Sequence, residues 1–212
     1  EKSSNVYFAI DFLTGIQKRN LGNKNAQYIN VEDKKVVVIG GGDTAMDCVR
    51  TSVREGATSV KCLYRRDEAN MPGSKKEVVN AKEEGVEFVF NVSPKSIKVE
   101  NDLAVGVELL ETSMSKSDTS GRQKVVLIEG SEYLEDADVI ILALGFSPEV
   151  PSFLKELNVE TNSWGGIVVD SNFKTSNKKV YAGGDCQRGA HLAVTAAVDG
   201  REAAKTIIKE LL

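Results

Sequence analysis

Strands and helices alternate in the hydrophobic pattern of residues 35–90. The run VVVIG, residues 36–40, is short and continuously apolar, which is typical of a strand buried on both faces of a parallel sheet. Apolar residues then recur every four positions over residues 43–55 and predict a helix, which Gly56 ends. Strands are also predicted at SVKCLYR and VEFVF, with a helix between them that begins after Pro72. This β-α-β-α-β order predicts a parallel sheet with right-handed crossovers.

The rest of the chain predicts elements on both sides of this block. Residues 6–18 are predicted as a helix, followed by a polar connection. Residues 95–130 contain the apolar segments SIKVE, LAVGVELLET and RQKVVLIEG without helices, which indicates an antiparallel meander with a polar loop at 113–122. ADVIILALG predicts another buried parallel strand. Two short strands, WGGIVVD and KKVYAGGD, and a long amphipathic helix are predicted to end the chain.

Composition and charge narrow the class of protein. A net charge of -4 argues against nucleic acid as the main partner. No apolar run approaches the roughly 18 residues that cross a bilayer, so we expect no membrane partner. Cys48, Cys62 and Cys186 lie far apart and form no C-x-x-C motif, which disfavours a redox dithiol and fits a reducing cytoplasm.

The glycines after the first of these strands have the spacing of a dinucleotide-binding loop. Gly40-x-Gly42-x-x-Ala45 stands between a predicted strand and a predicted helix, with another strand about twenty residues on. Gly40 permits the tight turn, Gly42 lets a pyrophosphate approach bare backbone, and Ala45 lets the helix lie close to the strand. The free N–H groups of the Gly40-Gly41-Gly42 turn and the helix dipole would then face the phosphates. A plain strand-to-helix turn is the alternative.

Asp43 directly follows these glycines and has two possible roles. A carboxylate beside a pyrophosphate is repulsive, whereas Asp is a favoured N-cap residue. We therefore expect Asp43 to cap the helix rather than to contact a ligand.

The end of the next strand indicates which dinucleotide is bound. NAD enzymes usually place an acidic residue there for the ribose 2′-hydroxyl, but this chain has Tyr64-Arg65-Arg66. Two guanidinium groups can form charge-assisted bonds to a 2′-phosphate, which a carboxylate would repel. The segment therefore favours NADPH over NADH. A solvated basic pair with Asp67 and Glu68 as local partners is the alternative.

A second glycine pair stands near the end of the chain. Gly183-Gly184 and Asp185 follow a predicted buried strand, and an Asp in that place can bind sugar-like hydroxyls. The helix that begins near His191 and Leu192 would point its positive end at an electron-rich ring. A β-α unit without a ligand is the alternative. His191, the single histidine, is either a polar residue at a helix start or a proton relay.

The chain resembles the small (beta) subunits of bacterial NADPH-dependent glutamate synthases along almost its whole length. The resemblance is carried by VVVIGGGDTAMDCVRTSVREGA, YRRDEANMPGSKKEVVNAKEEGVEF, ADVIILALGFSPE and KKVYAGGDCQRGAHLAVTAAVDGREAA. The RRDEANMPGS segment and its EEGVEF continuation are more specific than the glycine loop. Homologous iron–sulfur oxidoreductases share the same module, so they are similar as well.

This resemblance implies an α/β flavoprotein with a disulfide-reductase-like, two-dinucleotide-domain architecture. Residues 31–145 would form a Rossmann-like NADPH-binding domain with a parallel sheet and an antiparallel meander. Residues 146–212 would form the C-terminal part of an FAD-binding domain, and residues 1–30 a helix and connection from that domain. NADPH would give hydride to FAD, and iron–sulfur clusters would carry electrons to the large subunit, where glutamate is made from glutamine and 2-oxoglutarate. An equivalent electron acceptor is the other partner that the resemblance allows.

The resemblance also assigns the candidate site residues. Those that match the NADPH site are Gly40, Gly42, Thr44, Ala45, Arg65 and Arg66. Those that match the second half of the FAD site are Gly184, Asp185 and the helix start at His191 and Leu192. Gly145 lies in ALGFSP, which matches the crossing between the two domains. No catalytic acid or base is named, because the cofactors hold the hydride chemistry.

Two departures from the family pattern leave alternatives open. The first FAD glycine loop and the cysteine-rich cluster domain do not occur in this chain, and NVYFAIDFL already looks like part of a folded element. Both observations lead us to expect a C-terminal fragment, with a processed or tagged start as the alternative. His191 stands where relatives usually show Asp. The rival functions are a catalytically silent NADPH-binding module and a thioredoxin-reductase type of enzyme, which the missing C-x-x-C disfavours.

Overall fold

The computed structural model describes residues 3–115 and 123–212 of the chain. It divides into two compact units, residues 1–145 and residues 146–212, which are described separately below. The predicted polar loop at 113–122 is described only at its start, because residues 116–122 lie outside the described residues.

A five-stranded parallel sheet forms the centre of the first unit. Its strands, in chain order, are β1 (Val6–Phe8), β2 (Lys35–Ile39), β3 (Ser59–Tyr64), β4 (Glu87–Phe90) and β9 (Val139–Leu142). They lie in the order β1-β9-β2-β3-β4, and every neighbouring pair is parallel. The helices of this unit are α1 (Ala9–Asn20), α2 (Asp43–Arg54) and α3 (Lys75–Glu83), with a 3-10 turn at Glu68–Asn70. The predicted parallel sheet is thereby confirmed.

The predicted antiparallel strands pack on the other face of this sheet. β5 (Val92–Glu100) pairs with β6 (Leu103–Met114), and β6 also pairs with β7 (Val125–Leu127) and β8 (Tyr133–Asp136). The separate strand β8 was not expected from the sequence. It is only four residues long and mostly exposed, so it lacks the apolar run that would have revealed it.

Two apolar clusters build the core of the first unit, one on each face of the parallel sheet. Alternate residues of β2 point to opposite faces: Val36 and Val38 join the helices, whereas Val37 and Ile39 face the antiparallel strands. The helix-side cluster includes residues from α1, α2 and α3. The continuous apolar run in β2 therefore reflects burial on both faces.

The helix predicted over residues 6–18 begins later than expected, at Ala9. Residues 6–8 instead form β1, which pairs with the otherwise open edge of β9. Asn5 fixes this start, because its side-chain amide donates to the backbone oxygens of Ala104 (2.7 Å) and Asp138 (2.8 Å). Long-range pairing thus overrides the local apolar pattern.

Arginines of α2 join that helix to α3. Arg50 and Arg54 both bond the carboxylate of Glu84, with nitrogen–oxygen distances between 2.7 and 3.1 Å, and Arg50 also bonds Glu77. These bonds lower the pKa of Glu84 to about 2, mainly through Arg54 and then Arg50. The charged network fixes α3 beside α2.

The second unit consists of loops and three helices: α4 (Ser152–Glu156), α5 (Asp185–Arg188) and α6 (Ala193–Leu211). The strands predicted at WGGIVVD and KKVYAGGD are wrong, since each segment makes a single antiparallel bridge, Thr161 with Ile167 and Lys174 with Tyr181. Within the described residues these segments find no longer strand to pair with, so no ladder forms. Across residues 3–115 and 123–212, none of the helices has the length and apolarity needed to span a bilayer.

Candidate functional site

A cleft of about 630 Å³ opens where β2, β3 and β9 end at the same edge of the parallel sheet. Parallel α/β sheets bind ligands at this carboxyl edge. The predicted site residues that line the cleft are Gly40, Gly41, Gly42, Thr44, Tyr64, Arg65, Arg66 and Gly145. Asp43 and Ala45 are not part of its lining, and Ala45 is fully buried in the helix-side core. The sheet thus brings together residues that are up to about a hundred positions apart in the sequence.

The glycine loop lies tightly against its neighbours at two positions and is open at the third. A Cβ on Gly40 would overlap the carbonyl oxygen of Ala143, and one on Gly41 would overlap the Tyr64 ring. A Cβ on Gly42 would meet nothing within 4 Å. The open side of Gly42 leaves room for a ligand to approach the backbone, which is the geometry that a pyrophosphate requires.

The prediction that Asp43 caps α2 is wrong. Gly42 occupies the N-cap position, and its carbonyl oxygen accepts the N–H groups of Ala45 (2.9 Å) and Met46 (3.2 Å). Asp43 is the first helical residue, and its carboxylate accepts the backbone N–H of Ser74 at 2.7 Å. The N-terminus of α2 therefore has no side-chain cap, because Asp43 is directed at another segment.

Arg65 and Arg66 leave the end of β3 on a fixed backbone. The Thr112 hydroxyl donates to the carbonyl oxygen of Arg65 at 2.9 Å, and the Asn91 N–H donates to that of Arg66 at 3.1 Å. Arg65 is exposed, whereas Arg66 is half-buried and its Nε is buried without a partner among the described residues. A buried guanidinium nitrogen without a partner costs free energy unless a ligand accepts a hydrogen bond from it. This cleft thus offers a positive, unsatisfied donor to an anionic ligand.

Sequence reasoning missed several residues of this cleft. Asn70, Pro72 and the segment from Val92 to Pro94 complete its walls. A second cavity of about 750 Å³, lined by α1 and residues 23–30, contains none of the predicted site residues. We therefore take the cleft at the glycine loop as the candidate site.

The thiols near the glycine loop are buried. The Cys62 thiol donates to the carbonyl oxygen of Gly40 at 3.3 Å, and burial raises the pKa of both Cys48 and Cys62 to about 12. Cys186, in the second unit, is exposed. Neither buried cysteine has the low pKa that a reactive thiolate needs.

In the second unit, Asp199 of α6 fixes the other glycine pair. Its carboxylate, which is 2% exposed, accepts the Gly184 N–H at 2.9 Å and the Arg188 Nε at 2.8 Å. The Gly184 bond, followed by Arg188, lowers the pKa of Asp199. Gly184 itself has a φ of +77°, which favours glycine. Asp199 was missed because it lies fifteen residues away on the helix.

The remaining candidate residues surround this loop. Asp185 begins α5 and is exposed, without a hydrogen-bond partner for its side chain in the described part of the chain. The last helix begins at Ala193 with Leu192 as its N-cap residue. His191 precedes it, and its Nδ1 lies 2.9 Å from the Thr195 hydroxyl. His191 thus connects to the first turn of α6, as a polar residue at a helix start does.

Comparison with known sequences gives the family. A family described as pyridine nucleotide-disulphide oxidoreductase matches residues 3–200. The chain belongs to this family. Membership confirms the predicted oxidoreductase class, the α/β fold, and NADPH and FAD as the cofactors implied for this family.

Curated proteins include relatives of high identity to this chain. The glutamate synthase [NADPH] small chain of Escherichia coli (strain K12) is 48% identical over 219 residues, which cover 100% of this chain and 46% of the relative. The putative oxidoreductase AegA of the same organism is 46% identical, and the alignment covers 98% of this chain and 33% of AegA. The chain spans about half the length of the first of these relatives. The predicted resemblance to glutamate synthase small chains is confirmed.

Solved structures with the same fold have low sequence identity to this chain. FprA, a Mycobacterium tuberculosis oxidoreductase, has a TM-score of 0.74 and 17% identity over 97% of this chain and 58% of its own. The thioredoxin reductase of T. acidophilum has a TM-score of 0.69 and 23% identity, and the match covers 97% of this chain and 57% of the reductase chain. These likenesses support the fold and do not bear on substrate.

Proposed function

We propose that the first unit binds NADPH and that the second unit contributes to an FAD site, in an enzyme of the glutamate synthase small-chain type. The observation that carries the NADPH site is the buried Nε of Arg66, which has no partner among the described residues and belongs to the cleft that the glycine loop and Arg65 also line. An acidic residue at this strand end would favour NADH, whereas two guanidinium groups favour a 2′-phosphate. The word NADPH in the name of the 48% identical relative supports the same choice.

This proposal divides the chain by cofactor. Residues 31–145 form the NADPH-binding domain and residues 146–212 the C-terminal part of the FAD-binding domain. Residues 1–30, the helix and connection from the FAD domain, contribute β1 and α1 to the sheet and core of the first unit. The division of the chain into compact units at residues 145 and 146 supports the second boundary.

Each candidate residue has a binding or orienting role. The Gly40 N–H already donates to the carbonyl oxygen of Leu63 at 3.1 Å, so the N–H groups of Gly41 and Gly42 and the Thr44 side chain would face the pyrophosphate of NADPH. Arg65 and Arg66 would hold its 2′-phosphate. When bound, NADPH supplies a hydride that FAD accepts. The chain supplies proximity and orientation, so we assign no catalytic acid or base.

The FAD contacts are assigned to the second unit. Asp185 offers its free carboxylate to hydroxyl groups of the cofactor, on a loop that Asp199 holds through Gly184. His191 and Leu192, directly before α6, would face an electron-rich ring of the cofactor, and Gly145 would lie where the chain crosses between the domains. The alternative of an NADPH-binding module without catalysis is tested by the visible spectrum. Flavin bands that bleach with NADPH support the enzyme, and a colourless chain that binds NADPH supports the module.

We further propose that the electrons pass through iron–sulfur clusters to a large subunit that makes glutamate from glutamine and 2-oxoglutarate. The names of the relatives at 42–48% identity support this path. A different acceptor is the second candidate, favoured by the 46% identical relative named as a putative oxidoreductase. Glutamate formed with NADPH after addition of a large subunit would support the first path, and reduction of another acceptor alone would support the second.

Replacing both arginines tests the NADPH site. In the variant with Arg65→Ala and Arg66→Ala, we expect the dissociation constant for NADPH to rise at least tenfold, because each charge-assisted bond contributes about 1.5–3 kcal/mol. The dissociation constant for NADH should change little, since NADH has no 2′-phosphate. Titration followed by nucleotide fluorescence measures both values.

The control for this variant is Arg201→Ala. Arg201 is an exposed arginine of α6 in the second unit and does not belong to the residues that line the cleft, so its replacement removes a similar surface charge from outside that lining. It should leave both nucleotide affinities unchanged. Equal losses of NADPH and NADH affinity in the double variant would contradict the assignment of the arginines to the 2′-phosphate.

A further inference from the structure

Residues 67–74 cross over the glycine loop and are called the strap below. The strap begins with the 3-10 turn, which Asp67 caps by accepting the N–H and the side-chain amide of Asn70 at 2.9 and 2.8 Å. It then runs through Pro72 at the cleft wall and ends at Ser74, the N-cap residue of α3. The strap thus connects the arginine-bearing strand end to α3 by way of the glycine loop.

Two backbone N–H groups of the strap donate hydrogen bonds, one to the glycine loop and one to the first residue of α2. The Gly73 N–H donates to the carbonyl oxygen of Gly41 at 3.0 Å, and the Ser74 N–H donates to the Asp43 carboxylate at 2.7 Å. A Cβ on Gly73 would lie 3.1 Å from that Gly41 oxygen, so the two backbones are in close contact. The bond to Asp43 is the only one of the two that involves a side chain, and it can be removed by substitution.

Tyr64 holds the strap from its other side. The Tyr64 hydroxyl donates to the carbonyl oxygen of Asn70 at 2.9 Å, and its ring lies against Gly41. The glycine loop is therefore held between the ring of Tyr64 and the backbone of the strap. Such a loop has its N–H groups directed in advance, which lowers the entropic cost of binding an anion.

Asp43 has two opposite effects on an anionic ligand at this loop. Its negative charge, in the first turn of α2, repels a phosphate at the N-terminus of that helix. Its hydrogen bond to Ser74 holds the strap against the loop, and the bond directs the carboxylate at the start of α3. We propose that Asp43 is a positioning residue, which fixes the glycine loop for the pyrophosphate through the strap. This inference rests on the proposed NADPH site.

Two substitutions at Asp43 separate charge from hydrogen bonding. Asp43→Asn removes the charge and keeps an oxygen that can accept the Ser74 N–H, so NADPH should bind as tightly as in the wild type or more tightly. Asp43→Ala removes the charge and the bond, and the dissociation constant for NADPH should rise about tenfold. If charge alone mattered, both variants would bind NADPH more tightly.

A substitution at Ser74 removes the same bond from the other side. Ser74 has a φ of -55°, which the proline ring allows, so Ser74→Pro deletes the N–H donor and keeps the Asp43 charge, while the ring Cδ displaces the carboxylate from its position 2.7 Å from the Ser74 nitrogen. NADPH affinity should fall about tenfold here too, and the double variant with Asp43→Ala should be no weaker than the weaker single variant. Additive losses would show that the two residues act separately and would overturn the proposal.

The ligand 2′-AMP, which has the ribose 2′-phosphate but no pyrophosphate, distinguishes this inference from the proposed function. Calorimetric titration of the 212-residue chain should give unchanged 2′-AMP affinity in Asp43→Ala and Ser74→Pro. Thermal unfolding without ligand checks that each variant is folded. If Asp43→Ala does not fold, the comparison of the single variants Asp43→Asn and Ser74→Pro tests the proposal. Equal NADPH affinity of Asp43→Ala and Asp43→Asn, with intact 2′-AMP binding, overturns the positioning role alone. A wild type that binds neither NADPH nor 2′-AMP overturns the proposed function as well.

Discussion

Three consecutive glycines follow strand β2, and each has a different structural reason to lack a side chain. Gly40 lies against the backbone of β9, and Gly41 lies against the ring of Tyr64. Gly42 is the N-cap residue of α2, with open space where a Cβ would be. The fold leaves no room for a side chain at the first two, whereas Gly42 has that room, and its glycine is favoured both by the N-cap position and by the proposed approach of a pyrophosphate.

Paired alanine substitutions test this distinction at the residue scale. Gly41→Ala should lower the free energy of unfolding by about 1–3 kcal/mol, because the added methyl group overlaps the Tyr64 ring. The φ of Gly42 is -89°, which alanine adopts. Gly42→Ala should therefore lower the free energy of unfolding by less than about 1 kcal/mol, while it weakens NADPH binding. Urea unfolding and nucleotide titration give the two values. Equal destabilisation by both variants would contradict the prediction.

The local part of the site was predictable from the sequence, and the part made by distant residues was not. Glycine spacing and the arginine pair lie within one β-α-β unit, so their chemistry follows from local order. The partner of Asp43 lies 31 residues away, and the hydroxyl that holds the Arg65 backbone lies 47 residues away. A favourable N-cap propensity therefore gave the wrong role for Asp43, because a tertiary hydrogen bond competes for the carboxylate.

At the scale of elements, the helices and buried strands of the first unit were predicted, and its short strands β1 and β8 were not. β2 is apolar throughout because both of its faces are covered, so the pattern alone identifies it. Residues 6–8, Val-Tyr-Phe, fit the start of a helix as well as a strand, and the open edge of β9 decides between them. In the second unit, the strand predicted before Asp185 does not form. Its segment makes one antiparallel bridge, between Tyr181 and Lys174, and no ladder.

The contact between α2 and α3 gives a prediction of pH dependence. The pKa of Glu84 is lowered to about 2 from an ordinary value of 4.5, so its ionised form stabilises the folded state above pH 4.5, and this contribution is lost as the pH falls toward 2. Glu84→Gln should therefore lower the free energy of unfolding by about 1 kcal/mol at pH 7, because the pair is partly exposed.

Urea unfolding at several pH values measures this effect. The difference between Glu84→Gln and the wild type should shrink between pH 4.5 and pH 2. Glu83→Gln is the control, since it removes an exposed carboxylate from the adjacent position of α3. A difference that stays constant down to pH 2 would show that the arginine bonds do not set the stability of this contact.

At the scale of the whole molecule, the two units differ in how much core they contain. Both apolar clusters lie within the first unit, whereas the second unit has few buried apolar residues, among them Leu154, Val159 and Ala203. The polar contact of Asp199 with Gly184 and Arg188 therefore has a larger share in ordering the second unit. Apolar packing stabilises the first unit, whereas the buried carboxylate of Asp199 stabilises the glycine loop of the second.

The burial of two of the three cysteines allows thiol labelling to measure transient unfolding of the first unit. Because Cys48 and Cys62 are buried and Cys186 is exposed, a maleimide should label the folded chain at one position and the urea-unfolded chain at three. Mass spectrometry over time counts the labels, and the slow appearance of the second and third labels follows the transient exposure of the first unit's interior. Cys62 lies beneath Gly40, so bound NADPH should delay its modification but not that of Cys186. Alkylation kinetics can thus detect occupancy of the cleft without a spectroscopic signal from the nucleotide.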